Sequence, residues 1–357
     1  MRLPRLLTAL TAVVAFGALA SCSRAAESTA AAPAATTPAA ELRLAYFPNI
    51  THAPALIGVD KGFFAAELGS TKLTTQTFNA GGDEIAAILG GSIDAGFIGS
   101  SPAINGFAKS KGADVRLIAG ATSGGAQLVV SPDITSPAQL KGTIIATPQK
   151  GNTQDVALKK WLRDNNLEQG TGPDEVTVQN LDNPRTLDLF RTKQLAGGWL
   201  PEPWSSQLVN AGAKVLVDEK TLWPNGQFPS TVLIVRTQYL QEHPDTVAAL
   251  LRGEQKAVDL ATSDPAAAKT VTNDAIKKIT NATLPAAVLD RAFSELTFTL
   301  DPLAARFPQL SKDSVTAGVT TTETDLKGFV DVTQLNSVLQ AAGKPAVDAA
   351  GLDKAQG

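Results

Sequence analysis

Along most of this chain a short apolar run is followed by a stretch with helical spacing, and the pair then repeats. LRLAY (42–46) reads as a first strand, followed by a helix carrying Leu56, Ile57, Val59, Phe63 and Phe64. KLTTQTF (72–78) alternates as a strand ahead of a helix over 83–89. IDAGFIG (93–99) runs into SSPAINGFAKSKG, with Ser100 or Ser101 at the cap and Pro102 in the first turn. VRLIAGA (115–121) is the next strand. In TSGGAQLVVS (122–131) a glycine pair splits two apolar runs, and a second series begins. It contains GTIIATP (142–148), a helix in NTQDVALKKWL (152–162), VTVQN (176–180), a helix through Leu187, Leu189 and Phe190, GGWLPEPW (197–204) and KVLVD (214–218). TVLIVR (231–236) has the look of a return. From His243 onward Val247, Leu250, Leu251, Val258 and Ala261 recur near 3.6 spacing, with Pro244 in the opening turn.

Alternating strands and helices predict α/β architecture with mainly parallel sheets. A body of roughly 300 residues exceeds what one core usually holds, so two lobes are expected. The glycine pair and the 231–236 run are the natural crossings. They place 42–124 and 230–357 in a discontinuous first lobe, with 125–229 inserted as the second. No internal repeat or heptad array is apparent.

The N-terminal segment has a different character. Arg2 and Arg5 precede an apolar run over 6–20 that is short for a membrane span, and the run ends in LASC. Cys22 is the only cysteine. After such a run it resembles a lipobox cysteine, which predicts a signal segment over 1–21, lipidation of Cys22 and membrane contact through the lipid anchor alone. An ordinary secretory signal cleaved near Ala20 is the alternative. SRAAESTAAAPAATTPAAE (23–41) has no large apolar residue, so 22–41 is expected to be a disordered tether.

Charge and composition narrow the field. The chain has 31 basic and 34 acidic residues, and removing Arg2 and Arg5 with the signal leaves 29 against 34, a net of −5. No basic run or aromatic-basic interleaving points to nucleic acid. Aromatic residues make up 5%, which weakens the case for a sugar-stacking platform. There is no G-x-S-x-G elbow, H-E-x-x-H, phosphate loop or dinucleotide fingerprint, and His52 and His243 are the only histidines.

Chemistry concentrates at three strand-to-helix junctions, where ligands of open α/β sheets sit. FPNITHAP offers Asn49, Thr51 as a cap, His52 and two stiffening prolines, Pro48 and Pro54. The others are Gly99-Ser100-Ser101-Pro102 and PQKGNTQD (148–155), where Asn152 or Thr153 caps and Gly151 allows close approach. Helix N-termini with hydroxyl or amide donors suit an anion. Four or five charge-assisted hydrogen bonds at about 1.5–3 kcal/mol each reach roughly 8–10 kcal/mol before ordering costs, enough for micromolar binding. Such donors hold a ligand and transfer no proton.

Several long blocks in order resemble the periplasmic-type binding proteins of ABC importers for aliphatic sulfonates, taurine and nitrate, the SsuA/TauA group. They are AYFPNITHAPALIGVDKGFF, DAGFIGSSPAINGF, AGATSGGAQLVV, ATPQKGNTQDVALKKWL and GGWLPEPW, and the likeness covers 42 to about 340. It implies the type II periplasmic-binding-protein fold, two α/β lobes joined by two crossing strands, and a monomeric receptor at the outer face of the cell membrane. Its partners would be a small anionic or zwitterionic ligand and a cognate ABC permease and ATPase, with no catalytic residue, cofactor or metal. Carried over by position, the ligand-facing loops hold Asn49, Thr51, His52, Ser100, Ser101, Ser123, Gly124, Gly125, Gly151, Asn152, Thr153, Trp199, Glu202 and Trp204.

Within those loops some roles have two readings. Glu202 pairs with a ligand ammonium or faces solvent at the rim. Trp199 and Trp204 wall an alkyl chain or pack in a core, and His52 donates to ligand or packs beneath its loop. Lys150 and Arg185 are expected in solvent. Two alternatives stay in view: a receptor for nitrate or a small carboxylate, and an enzyme like those that make the thiamine pyrimidine on the same fold. The enzyme pattern includes a cysteine-rich stretch, which has no counterpart here.

Overall fold

The computed structural model describes residues 38–353. The signal segment 1–21, Cys22 and the tether as far as residue 37 fall outside the described residues. The last part of the expected tether is ordered instead. Ala39 is buried, its amide donates to Thr246 Oγ1 at 3.0 Å, and its carbonyl accepts from Thr71 Oγ1 at 2.7 Å. Two hydrogen bonds and a small side chain hold it, which a search for large apolar residues misses.

The chain first lays down β1 (Glu41–Tyr46), α1 (Ala53–Asp60), α2 (Phe63–Leu68), β2 (Lys72–Thr77), α3 (Gly81–Leu89), β3 (Ala95–Gly99), α4 (Ser100–Lys109) and β4 (Val115–Gly124). It then forms β5 (Ala126–Val130), β6 (Ile144–Thr147), α5 (Thr153–Asp164), β7 (Thr177–Asn180), α6 (Asn183–Arg191), β8 (Gly197–Pro201), α7 (Trp204–Asn210) and β9 (Lys214–Asp218). The return begins at β10 (Pro229–Arg236) and leads to α8 (Thr237–Glu242), α9 (Pro244–Ser263), α10 (Pro265–Thr280) and α11 (Ala286–Ser294). β11 (Leu296–Phe298), α12 (Phe307–Thr316) and α13 (Thr333–Ala341) complete the body.

Two sheets share one plan. Their strand orders are β11-β4-β10-β3-β1-β2 and β7-β6-β8-β5-β9. In each, three strands run parallel, the strand adjoining a crossing lies antiparallel beside them, and a fourth follows it. β10 reads TVLIV without alternation because it is central and buried on both faces, whereas the edge strand β2 is mostly exposed and polar. The predicted stripe of α9, including Val247, Leu250 and Leu251, is buried in the first core. In the second sheet Trp199 and Leu200 point to opposite faces and enter separate clusters.

The crossings lie against each other. Gly124 N donates to Phe228 O at 3.0 Å, Phe228 N donates to Ser123 Oγ at 3.1 Å, and the Ser230 hydroxyl donates to the Gly124 carbonyl. Only Gly125 separates β4 from β5. Gly124 and Gly125 have φ of +80° and +72°, and a Cβ on Gly125 would lie 2.3 Å from Leu296 Cδ2. The corner therefore requires glycine. Away from the crossings, α11 packs on α7 and α12 packs on α5, so helices of the C-terminal part also touch the second unit.

Candidate functional site

Five strand-to-helix junctions converge on one small cavity between the sheets. Asn49, Thr51 and His52 precede α1, Ala80 and Gly81 open α3, and Gly99 and Pro102 flank the first turn of α4. From the second unit come Asn152, Thr153 and Gln154 at α5 and Asn183 at α6. Among the described residues, no Asp, Glu, Lys or Arg lines the cavity. Its volume of about 40 Å³ compares with the ~10–15 Å³ that one water needs, so it suits a compact group of a few heavy atoms. With no charged side chain in the wall among the described residues, the helix ends that face it contribute positive potential.

The predicted side-chain caps are corrected by the structure. Thr51 lies inside a 3₁₀ turn over Ile50–His52, and Gly99 takes the cap position ahead of Ser100. Asn152 does cap α5 by position, but its side chain accepts no cap hydrogen bond. The same holds for α1, α3, α4 and α6, so first-turn amides are not consumed by local caps. Several bond across the cleft instead. Ser101 N donates to Thr153 Oγ1 at 3.3 Å, Gly82 N to Gln149 Oε1 at 2.9 Å, and Thr51 N to Glu202 O at 3.4 Å. Trp204 Nε1 donates to Asn49 Oδ1 at 2.9 Å. Three buried polar atoms at or beside the cavity, Ser100 Oγ, Ser101 Oγ and Asn183 Oδ1, have no partner among the described residues. Buried polar atoms are rarely left so.

His52 is buried and stacks on Phe47 with ring centroids 4.4 Å apart. Its Nδ1 accepts from the Phe47 amide at 3.2 Å, which puts the ring proton on Nε2. Burial pushes its pKa down to about 3. The ring is therefore a neutral, single donor across the ordinary pH range.

Beside this cavity lies a second chamber of about 340 Å³. The two share Phe47, Asn49, Asn79 and Asn183. Phe78, Pro184, Trp204, Ile276 and Leu284 add apolar wall, and again no charged residue among those described lines it.

Of the residues selected from sequence, Asn49, Thr51, His52, Asn152 and Thr153 line the small cavity, and Ser100 and Ser101 lie buried beside it. Trp204 walls the second chamber. Others serve the frame. Ser123, Gly124 and Gly125 form the crossing. Gly151 donates to Asp155 Oδ2 at 2.8 Å and its carbonyl accepts from Asn105 Nδ2 at 3.1 Å, joining the lobes. Trp199 is fully buried in the second core, packed edge-on against Trp161, and its Nε1 donates to Glu219 Oε2 at 2.7 Å. Lys150 and Arg185 are exposed, as expected.

Glu202 fits neither of its readings. It is fully buried, and its Oε1 accepts from Arg291 Nη1 at 3.0 Å while Oε2 accepts from Ser206 N at 3.2 Å. Burial pushes its carboxyl pKa up, countered by the hydrogen bonds from Ser206 and by the Arg291 charge. Arg291, on α11, went unnoticed because nothing local marks a partner 89 positions away.

Sequence reasoning also missed Asn79 to Gly81, Asn183, Ser230 and Thr231. The signal for Asn183 was present in LDNPR, since Pro184 sits in the first turn of α6 as Pro54 does in α1.

Comparison with known proteins agrees with this architecture. The NMT1-like family matches residues 35–275. The taurine-binding periplasmic protein of Escherichia coli strain K12 is 28% identical over 202 residues, covering 56% of this chain and 60% of that protein. A binding protein of Brucella abortus strain 2308 is 27% identical over 194 residues, 54% of this chain and 58% of the relative. The chain thus spans about 60% of the length of these curated relatives. Among solved structures, the alkanesulfonate-binding protein SsuA of Xanthomonas axonopodis pv. citri bound to MOPS superimposes with a TM-score of 0.63 at 21% identity, covering 79% of this chain and 93% of that one. The periplasmic nitrate-binding protein NrtA of Synechocystis PCC 6803 gives a TM-score of 0.71 at 16% identity, covering 86% and 90%. At these identities the structural likeness is one of fold, the two-lobe periplasmic-binding-protein fold. With two-thirds of its length matched by one family, the chain belongs to the NMT1-like family.

Proposed function

We propose that this protein is the extracytoplasmic solute-binding receptor of an ABC importer, and that it captures a small organic anion between its lobes. One observation carries the reading: helix N-termini from both units ring a cavity whose wall, among the described residues, has no charged side chain. Peptide dipoles and neutral donors there favour negative charge while leaving the bound group free to depart, since no salt bridge has to be broken. The names of its relatives, binding proteins for taurine, alkanesulfonate and nitrate, support a head group of this kind. Lipid attachment at Cys22, delivery to a permease and its ATPase, and a monomeric state belong to the same proposal. So does the division into lobes at 42–124 with 230–357 and 125–229. Tethering would hold the receptor at high effective concentration near its permease.

An enzyme on the same fold is the competing reading. Among the described residues, the only titratable side chain in the cavity wall is His52, which is neutral and has Nδ1 occupied. A lone neutral donor without a second acid or base favours holding over converting. A thermal-shift screen of sulfonates, nitrate and carboxylates tests the choice. A micromolar ligand at millimolar dose should add about 4 kcal/mol of stability, with the compound recovered unchanged. Turnover of a bound compound, or no stabilisation by any anion, would defeat the receptor reading.

A further inference from the structure

We propose that the apolar chamber beside the cleft seats the tail of the cargo, so that the cargo is an anion with an uncharged, apolar remainder, and that zwitterions are excluded. The inference rests on the anion-receptor reading and adds to it the chemistry of the part of the ligand that the helix ends do not hold.

The small cavity, at about 40 Å³, accepts only a head group. Everything else in the ligand must lie outside it. The neighbouring chamber, at about 340 Å³, is reached across a shared neck formed by Phe47, Asn49, Asn79 and Asn183. Beyond the neck its walls are mostly aromatic, proline and aliphatic, with Ile276 and Leu284 supplied by the end of α10 and the loop that follows, and Gln207, Thr280 and Thr283 are the uncharged polar exceptions. A hydrocarbon tail placed there leaves water for apolar surface.

An ammonium placed there has three donors to satisfy and a charge to balance. Among the described residues, no Asp or Glu lines either compartment. Glu202, the acid from which a zwitterion's partner was expected, is buried and committed to Arg291 and Ser206. The oxygens of Asn183, Gln207, Thr280 and Thr283 can accept from the ammonium protons, but none carries the negative charge that would balance the cation. Moving a cation from water into such a wall is strongly disfavoured. The prediction separates this chain from its taurine-binding relative, with which it shares 28% identity over the aligned part.

Isothermal titration of the purified full-length protein tests the inference. The probes are parallel sulfonate and carboxylate series with methyl, ethyl and hexyl tails, together with taurine and β-alanine as the amino-bearing counterparts. Each methylene that becomes buried should tighten binding about fourfold. For whichever head group binds, the hexyl compound should therefore bind at least tenfold tighter than the methyl one. The amino-bearing compound should bind at least tenfold more weakly than its ethyl counterpart. Ala282→Trp, a change at an exposed position in the chamber wall, should shrink the gap between hexyl and methyl compounds. Taurine or β-alanine binding as tightly as the matching ethyl compound, or affinity that ignores tail length in the unaltered protein, overturns the inference and leaves the anion cleft standing. Failure of every probe to bind overturns the cleft reading and this inference with it.

Discussion

Arg291 offers the sharpest test of how the two units are held together. It projects from α11, and its Nη1 donates to Glu202 Oε1 at 3.0 Å and Ser206 Oγ at 2.8 Å, while Nη2 donates to Gln127 Oε1 at 2.6 Å. All three acceptors belong to the second unit. The Glu202 side chain has no exposed surface and that of Arg291 has 22%. Arg291→Met keeps much of the stem volume but strands a buried carboxylate, a change that costs about 3–5 kcal/mol. At roughly 2 °C per kcal/mol for a body of this size, the melting temperature should fall by about 6–10 °C. Without the guanidinium, the Glu202 pKa rises further above its ordinary value. The folded state then retains a proton that the unfolded chain gives up, so the deficit should be larger near pH 8 than near pH 5. Glu202→Gln in the same background removes the stranded charge and should restore at least about 2 kcal/mol. Urea unfolding followed by tryptophan fluorescence, on the two single variants and the double, closes the cycle. A loss below about 1 kcal/mol in Arg291→Met, or a coupling energy under about 0.5 kcal/mol, would refute a clamp at this position.

Four further outcomes are expected. Ser101→Ala removes a buried hydroxyl with no partner among the described residues, so the free protein should be no less stable while anion affinity falls about 10- to 150-fold, as read by calorimetry. His52 resists protonation down to about pH 3, whereas the unfolded chain takes the proton near its ordinary pKa of 6.5. Acidification through that window should erode stability by up to about 1.4 kcal/mol per pH unit, and His52→Gln should flatten the slope in a pH series of urea melts. Glu219 has the opposite sign. Burial pushes its carboxyl to about 8, so the folded state binds a proton that the unfolded state loses above 4.5, and stability drops as pH rises. Glu219→Gln, which keeps an acceptor for Trp199 Nε1, should be more stable than the parent near pH 8 and lose that slope. Gly125→Ala meets both a left-handed φ of +72° and Leu296 Cδ2 at 2.3 Å, so a loss of at least about 1 kcal/mol in thermal unfolding is expected.

What could be read from the sequence followed the range of the interactions responsible. Strand and helix periodicity is local, and LRLAY, TVLIVR and the α9 stripe announced their elements directly. Proline and glycine act on their own backbone, so the Gly124-Gly125 corner and the entry at Pro54 were visible as well. The junction at Ala80 and Gly81 carries no hydroxyl or amide cap, and backbone amides leave no mark in a sequence. Trp199 and Glu202 misled for a related reason. They looked like a polar and aromatic loop, but 197–201 is a strand buried on both faces, and the acid's partner lies on a distant helix. Types of residue were legible, while the direction each side chain takes depended on contacts made far along the chain.

The adjoining crossings have a consequence for the modularity of the chain. The stretch between them leaves the first sheet at Gly124 and rejoins it at Phe228, and these residues are joined by a single 3.0 Å hydrogen bond. Entry and exit are so close that a bridge of a few glycines and serines is long enough to seal the first sheet without the inserted piece. The excised piece carries its own five-stranded sheet and buried clusters. Such a layout makes the piece exchangeable at two neighbouring joints, provided that its replacement keeps acceptors for Arg291 and packing faces for α11 and α12.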